Sequence, residues 1–240
     1  MNIHIGERLG KLYDFFTFVP KYAKFVVLND IRYKNWKQCS EICREPDMYL
    51  VDGFIPKPGE VVYDIGAQYG DWAVLWAKKF GAEVYAFEPL ESNLMAIRDN
   101  VIANDLENKV SVISSFIGNG LPLSFERRGD MIAATPSKLQ SEPSDKLDTL
   151  SKKYNFKSPD IIKIDVEGFE KTVLEGAQYL LREKPRIIIE THSKALRKAC
   201  ETFLIDYYGY EEKHVSRTVK GKGWMDEVSV LFFRADGDVK

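Results

Sequence analysis

The sequence predicts an α/β protein: a doubly wound, mostly parallel sheet of seven strands whose last two strands pair antiparallel at one edge. Three observations lead there. From residue 61 onward, short apolar runs alternate with segments of helical period, the pattern of strand–helix repeats joined by right-handed crossovers. The first five runs are short and mostly apolar, as expected of parallel strands covered on both faces. The chain of 240 residues, 45% hydrophobic and 29% charged, has the material for one such domain with a decorated end.

Residues 1–47 stand apart. Aromatic and basic residues interleave there, with Tyr13, Phe16, Phe18 and Tyr22 among Lys11, Lys21 and Lys24. The expectation is an N-terminal helical extension, a cap whose aromatics pack on the main domain. The domain itself takes residues 48–240 and opens on the turn-rich 51–60 segment, which carries Gly53, Pro56, Pro58 and Gly59.

Strands are expected at 61–65, 83–88, 110–116, 161–166 and 186–190, with the edge pair near 208–214 and 228–233. Helices are expected at 71–80, 92–104, 146–154, 169–182 and 193–207, the last with Ser193 as N-cap. Residues 118–145, with Gly118, Gly120, Pro122, Gly129, Pro136 and Pro143, read as a long irregular connection.

Several function classes lose support. A net charge of −2 gives no overall pull toward nucleic acid or anionic lipid. Cys39, Cys43 and Cys200 do not make a disulfide framework, which suits a reducing, cytoplasmic setting. Glu7 and Arg8 precede any apolar run, so the start does not read as a signal peptide, and every apolar stretch is too short to span a membrane.

The strongest local signal is Val-Val-Tyr-Asp-Ile-Gly-Ala-Gln-Tyr-Gly-Asp over 61–71: a strand, a turn bearing Gly66 and Gly70, then a helix. The phosphate-cradling G-x-G-x-x-G pattern is missing. Asp64 stands at the strand end instead, where it would repel a diphosphate but suits a cationic or hydroxylated ligand. The second strand ends at Glu88, where an acid accepts ribose hydroxyls. S-adenosylmethionine offers an ammonium, a sulfonium and a ribose, and no phosphate.

These residues resemble the FkbM family of methyltransferases. The resemblance rests on Asp-Ile-Gly-Ala-Gln-Tyr-Gly at 64–70 with Ala-Phe-Glu-Pro at 86–89. It continues in Ile-Ile-Lys-Ile-Asp-Val-Glu-Gly-Phe-Glu at 161–170, Val-Leu-Glu-Gly-Ala at 173–177, and Pro-Arg-Ile-Ile-Ile-Glu-Thr-His at 185–192. It implies a class I methyltransferase Rossmann-like three-layer sandwich, S-adenosyl-L-methionine as methyl donor, and transfer to a hydroxyl. By carry-over, Asp64, Gly66, Gln68, Gly70 and Glu88 contact the cofactor, and Phe116 packs near the adenine.

Methyl transfer to oxygen is an in-line displacement that needs alignment and a group to take the hydroxyl proton. Asp165 and Glu167 at the end of the fourth strand and His192 at the end of the fifth are the candidate catalytic residues, with His192 as general base. Lys163 is expected to pair with Asp165. The same three candidates carry donors for a divalent metal that would activate a catechol-like diol; the expectation set here is chemistry without a metal. The expected partner is a small-molecule or sugar acceptor. RNA is the rival acceptor, through the basic aromatic N-terminal region, and a non-catalytic S-adenosylmethionine-binding protein is the rival without turnover.

Overall fold

The computed structural model describes residues 26–28, 30–39, 42, 45, 47–134, 140–220 and 225–235. The first described element is an antiparallel hairpin, β1 (Val26–Leu28) and β2 (Ile31–Tyr33). Val26, Leu28, Ile31 and Tyr33 are buried while Val27 and Arg32 are exposed. This is a period of two, so residues 26–33 are a hairpin where the sequence suggested helix. Asp30 at the turn has φ 63, and a 3-10 turn follows at Trp36–Cys39. Residues 1–25, with most of the interleaved aromatics, lie outside the described residues, as do Cys43 and Gly221 to Gly223.

The main domain then unfolds in chain order: β3 (Val61–Ile65), α1 (Asp71–Phe80), β4 (Glu83–Glu88), α2 (Glu91–Ala103) and β5 (Val110–Ser114). Next come β6 (Leu123–Arg128), β7 (Met131–Ala134), β8 (Gln140–Glu142), α3 (Leu147–Tyr154), β9 (Ile161–Ile164), α4 (Glu170–Gly176) and α5 (Gln178–Arg182). It closes with β10 (Arg186–Thr191), α6 (Lys194–Thr202), a π turn at Phe203–Tyr207, β11 (Tyr210–Lys220) and β12 (Glu227–Ala235). Ser193 caps α6, its side chain accepting from the Leu196 N–H.

The seven-stranded sheet has the order β11-β12-β10-β9-β3-β4-β5. Pairings among β10, β9, β3, β4 and β5 are parallel; β12 runs antiparallel to both its neighbours. The chain leaves β3 for β4 and β5 on one side and returns to β9 on the other. The crevice outside the carboxyl ends of β3 and β9 is therefore the topological switch point, where such sheets bind ligands.

Strand alternation splits the core in two. Val62, Ile161, Ile188 and Phe232 pack toward α1, α2 and the hairpin, with Trp72, Trp76 and Tyr49. Tyr63, Ile65, Ile162, Ile164, Ile187, Ile189 and Phe233 pack on the other face with α3 to α6. Burying these side chains supplies the main drive for folding. The hairpin is pinned to α2 by polar bonds as well. The Arg32 N–H donates to Asn104 Oδ1 at 2.8 Å, and Asn104 Nδ2 donates to the Arg32 carbonyl at 2.7 Å.

The connection at 118–145 is more ordered than expected. β6, β7 and β8 form a small antiparallel sheet over Phe116 and Phe169. The helix expected over 169–182 is two helices, broken at Ala177. Gly176 packs there against the Gly118 carbonyl oxygen, where a β-carbon would lie 1.9 Å away. Among the described residues, no helix is long and apolar enough to cross a membrane.

Candidate active site

Ends of β3, β4 and β9, the first turn of α1 and the small sheet enclose a cavity of about 260 Å³. Of the residues expected at the cofactor, Gly66, Gln68, Glu88 and Phe116 line it; Asp165 and Glu167 line it as well. Asp64, Gly70 and His192 stand behind its wall.

Glu88 ends β4 and is buried. Its Oε2 accepts from the Gln68 N–H at 3.1 Å, and its Oε1 accepts from the Leu90 N–H at 3.0 Å and from Asn93 Nδ2 at 3.1 Å. Burial pushes its pKa up to about 7, and those three hydrogen bonds pull the other way. Gln68 has φ 48, a left-handed backbone that turns its N–H onto Glu88. Phe116 meets Phe125 and Phe169 edge-on, with centroids 5.5 and 5.4 Å apart, and forms an apolar wall.

Asp64 has a different environment from the one its sequence position suggested. It faces Lys163 across the β3–β9 pairing, Oδ1 lying 3.2 Å from Nζ, with both side chains almost fully buried. Burial raises its pKa and Lys163 opposes this. Lys163 also donates to the Gly66 carbonyl at 3.2 Å and stands 3.7 Å from Asp165 Oδ2. The expected Lys163–Asp165 pairing is thus shared with Asp64.

Three residues around this network carried no sequence expectation. Asp71 opens α1 and lines the cavity, its pKa pushed up to about 7 by burial. Tyr49 donates to Glu190 Oε2 at 2.8 Å and its hydroxyl lies 3.3 Å from Asp165 Oδ2. Asn93 bridges Glu88 to the carbonyl of Asp130 at the β6–β7 tip, at 2.9 Å. Tyr69 donates to Asp130 Oδ2 at 2.6 Å, so the small sheet is latched over the cavity.

At the other end stands the acidic corner. β10 stops at Thr191, so Glu190 and His192 part: Glu190 meets Tyr49, and His192 turns to α4. His192 Nδ1 lies 2.8 Å from Glu170 Oε1, and Nε2 lies 3.5 Å from Glu167 Oε2 and 3.7 Å from Asp165 Oδ1. Burial works against a charged ring, but Glu170, Asp165 and Glu167 outweigh it and push the pKa up to about 10. Burial also pushes Glu167 up to about 7, against the pull of His192. Glu170 is fully buried and is the residue that sequence reasoning passed over. Its signal was present in the 165–170 stretch, three positions beyond Glu167.

The donor set suits a nucleoside ligand without phosphate: carboxylates at Glu88 and Asp71, an aromatic wall, and the buried, unbonded Asn93 Oδ1. Residues 64–212, more than half of the chain, match the family described as the methyltransferase FkbM domain. The chain belongs to the FkbM methyltransferase family. It carries a methyltransferase domain of the S-adenosylmethionine-dependent class. A hexuronic acid methyltransferase, AglP of Haloferax volcanii, is 29% identical over 142 residues, which cover 56% of this chain and 56% of that protein. The chain thus spans little more than half the length of this curated relative. Among solved structures, P. horikoshii TYW2 in complex with MeSAdo superposes with a TM-score of 0.55 at 18% identity, covering 88% of this chain and 70% of that one. M. capricolum TrmK in complex with S-adenosylhomocysteine gives 0.54 at 13% identity, covering 80% and 68%. These two likenesses establish the shared fold of the FkbM domain.

Proposed function

We propose that the protein transfers the methyl group of S-adenosylmethionine to a hydroxyl of a small, sugar-like acceptor. The observation that carries this reading is the polarity of one cavity. Glu88, buried and aimed by Asn93, stands at one end, and the Asp165–Glu167–His192 corner stands at the other. The hexuronic acid relative supports a sugar-like acceptor.

Glu88 and the Gln68 turn hold the ribose, Phe116 covers the adenine, and Asp165 and Asp71 face the amino acid end. S-adenosylmethionine supplies the methyl group on a sulfonium, a good leaving group. Asp165 and Glu167, which line the cavity, hold the acceptor hydroxyl in line, and His192 holds those two carboxylates in place. The latched β6–β7 tip covers one side of the cavity.

The test is calorimetric titration with S-adenosylmethionine and S-adenosylhomocysteine, with NAD as control, followed by a radiolabelled methyl-transfer screen over sugars and hydroxylated metabolites. Binding of both sulfur ligands, no binding of NAD, and label in a methyl ether are the expected results. Binding without transfer to any hydroxyl acceptor would overturn the O-methylation part; no binding would overturn the cofactor part.

A further inference from the structure

We propose that Asp165, Glu167 and His192 bind a divalent cation, Mg²⁺ or Mn²⁺, whose remaining positions are taken by two neighbouring hydroxyls of the acceptor. This rests on the methyltransferase reading and deepens it, since it names the acceptor class as a vicinal diol. It replaces the metal-free chemistry expected from the sequence.

Geometry is the first support. One ligand atom from each of the three residues lies within 4.8 Å of the other two. His192 Nε2 stands 3.5 Å from Glu167 Oε2 and 3.7 Å from Asp165 Oδ1. N–H···O bonds centre near 2.9 to 3.0 Å. Ligands about 2.1 Å from a shared ion sit roughly 3.0 to 3.5 Å apart, so the His192–Glu167 pair fits as it stands and Asp165 closes in by a small side-chain movement when the ion binds.

A second, independent support is the setting of the imidazole. Its Nδ1 faces Glu170 Oε1 at 2.8 Å, and that oxygen is fixed in turn by the Gly168 N–H at 2.9 Å. A carboxylate that holds Nδ1–H fixes the ring with Nε2 toward Asp165 and Glu167, the arrangement found behind metal-bound histidines, and the ion takes the place of the Nε2 proton. Glu170 is fully buried, and its Oε2 accepts no hydrogen bond. Three carboxylates thus converge on one ring with little access to water, an excess of negative charge that a dication offsets.

The ligand chemistry narrows the ion. Two carboxylates and one imidazole suit Mg²⁺ or Mn²⁺, and three protein ligands leave positions open. Asp165 and Glu167 face the cavity, so those positions open toward the acceptor. A cation there lowers the pKa of a coordinated hydroxyl. The hydroxyl proton passes to water. The oxygen lone pair forms the O–CH₃ bond as the S–CH₃ bond breaks and its electron pair returns to sulfur. The products are a methyl ether and S-adenosylhomocysteine.

Chelator-treated full-length protein is titrated with Mn²⁺, and the free ion is followed by electron paramagnetic resonance. One Mn²⁺ per chain is expected. Glu167→Gln and Glu170→Gln should each weaken Mn²⁺ binding at least tenfold, Glu170 acting as a positioning residue. Glu170 lies outside the cavity lining, so S-adenosylhomocysteine titration of Glu170→Gln should be unchanged and show that this variant is folded; circular dichroism and urea unfolding show the same for Glu167→Gln. A free-ion signal untouched by the wild-type protein, or identical affinity in both variants, overturns the cation site. Loss of S-adenosylhomocysteine binding by the wild type, with Mn²⁺ still bound, overturns the methyltransferase reading instead.

Discussion

Gly66 touches the backbone of Asp165 so closely that a β-carbon on Gly66 would fall 1.8 Å from the Asp165 carbonyl oxygen. The turn after β3 and the turn after β9 are therefore locked together, which fixes the Gln68–Glu88 end of the cavity relative to the acidic corner. Gly66 also has φ 81, a region that costs an L-residue about 1–2 kcal/mol. Gly66→Ala combines that strain with a backbone clash, and a loss of roughly 3 kcal/mol or more is expected in urea unfolding. Gly59→Ala is the control. It has φ 85 with nothing within 4 Å, so it should cost only the backbone strain. Equal losses in the two variants would refute the locking role.

Glu88 should make cofactor affinity depend on pH. In the proposed binding mode ribose hydroxyls donate to the ionised carboxylate, so binding favours the deprotonated form. With the free group pushed up to about 7, affinity for S-adenosylhomocysteine should weaken about tenfold between pH 8 and pH 6. Stability runs the other way. The folded protein keeps a proton that the unfolded chain releases near its ordinary value of 4.5. Glu88 therefore lowers stability as pH rises from 4.5 to about 7, with no further change above. Glu88→Gln should weaken binding by about tenfold at pH 8, roughly 1–2 kcal/mol for the lost hydroxyl contacts, and flatten the pH slope. A slope that survives in Glu88→Gln would assign the titration to Asp71.

Periodicity made the sheet legible. Val61–Ile65 and Glu83–Glu88 fall where the sequence predicts them, because strands buried on both faces are mostly apolar, and the helix Asp71–Phe80 falls between them where the glycine-bearing turn ends. β6 to β8 were not legible. Their strands are short and largely exposed, so no core face imposes a pattern on residues such as Glu126, Arg127 and Arg128. Strand parity also ends with the strand. Asp165, Glu167, Glu190 and His192 lie past or at the last paired residues, and their directions are set by Tyr49 and Glu170, which only the tertiary fold brings there.

Lys163 neutralises the floor of the site. Its nearest acid is Asp64, and both are buried. Lys163→Met leaves Asp64 without its cation, a defect that costs about 3–5 kcal/mol where one partner of a buried pair is removed. Adding Asp64→Asn to Lys163→Met should recover a good part of that loss, because an uncharged amide is cheaper to bury. Thermal and urea unfolding of the two variants checks this. A double variant no more stable than Lys163→Met would mean that Lys163 acts chiefly through the Gly66 carbonyl.

Tyr69 latches the small sheet over the cavity. Its hydroxyl donates to Asp130 Oδ2, and the Asp130 carbonyl accepts from Asn93, which also holds Glu88. Asp130 sits in the β6–β7 turn beside the paired Arg128 and Met131, so Tyr69→Phe should lower the unfolding free energy by no more than the value of that one bond. It removes one hydrogen bond to a carboxylate, worth about 1.5–3 kcal/mol at the tip. The closed tip then opens more often, and bound S-adenosylhomocysteine should leave about tenfold faster while associating at the same rate. Stopped-flow displacement separates the two rates. A slower association with unchanged release would show that Tyr69 shapes the open site rather than holding the closed one.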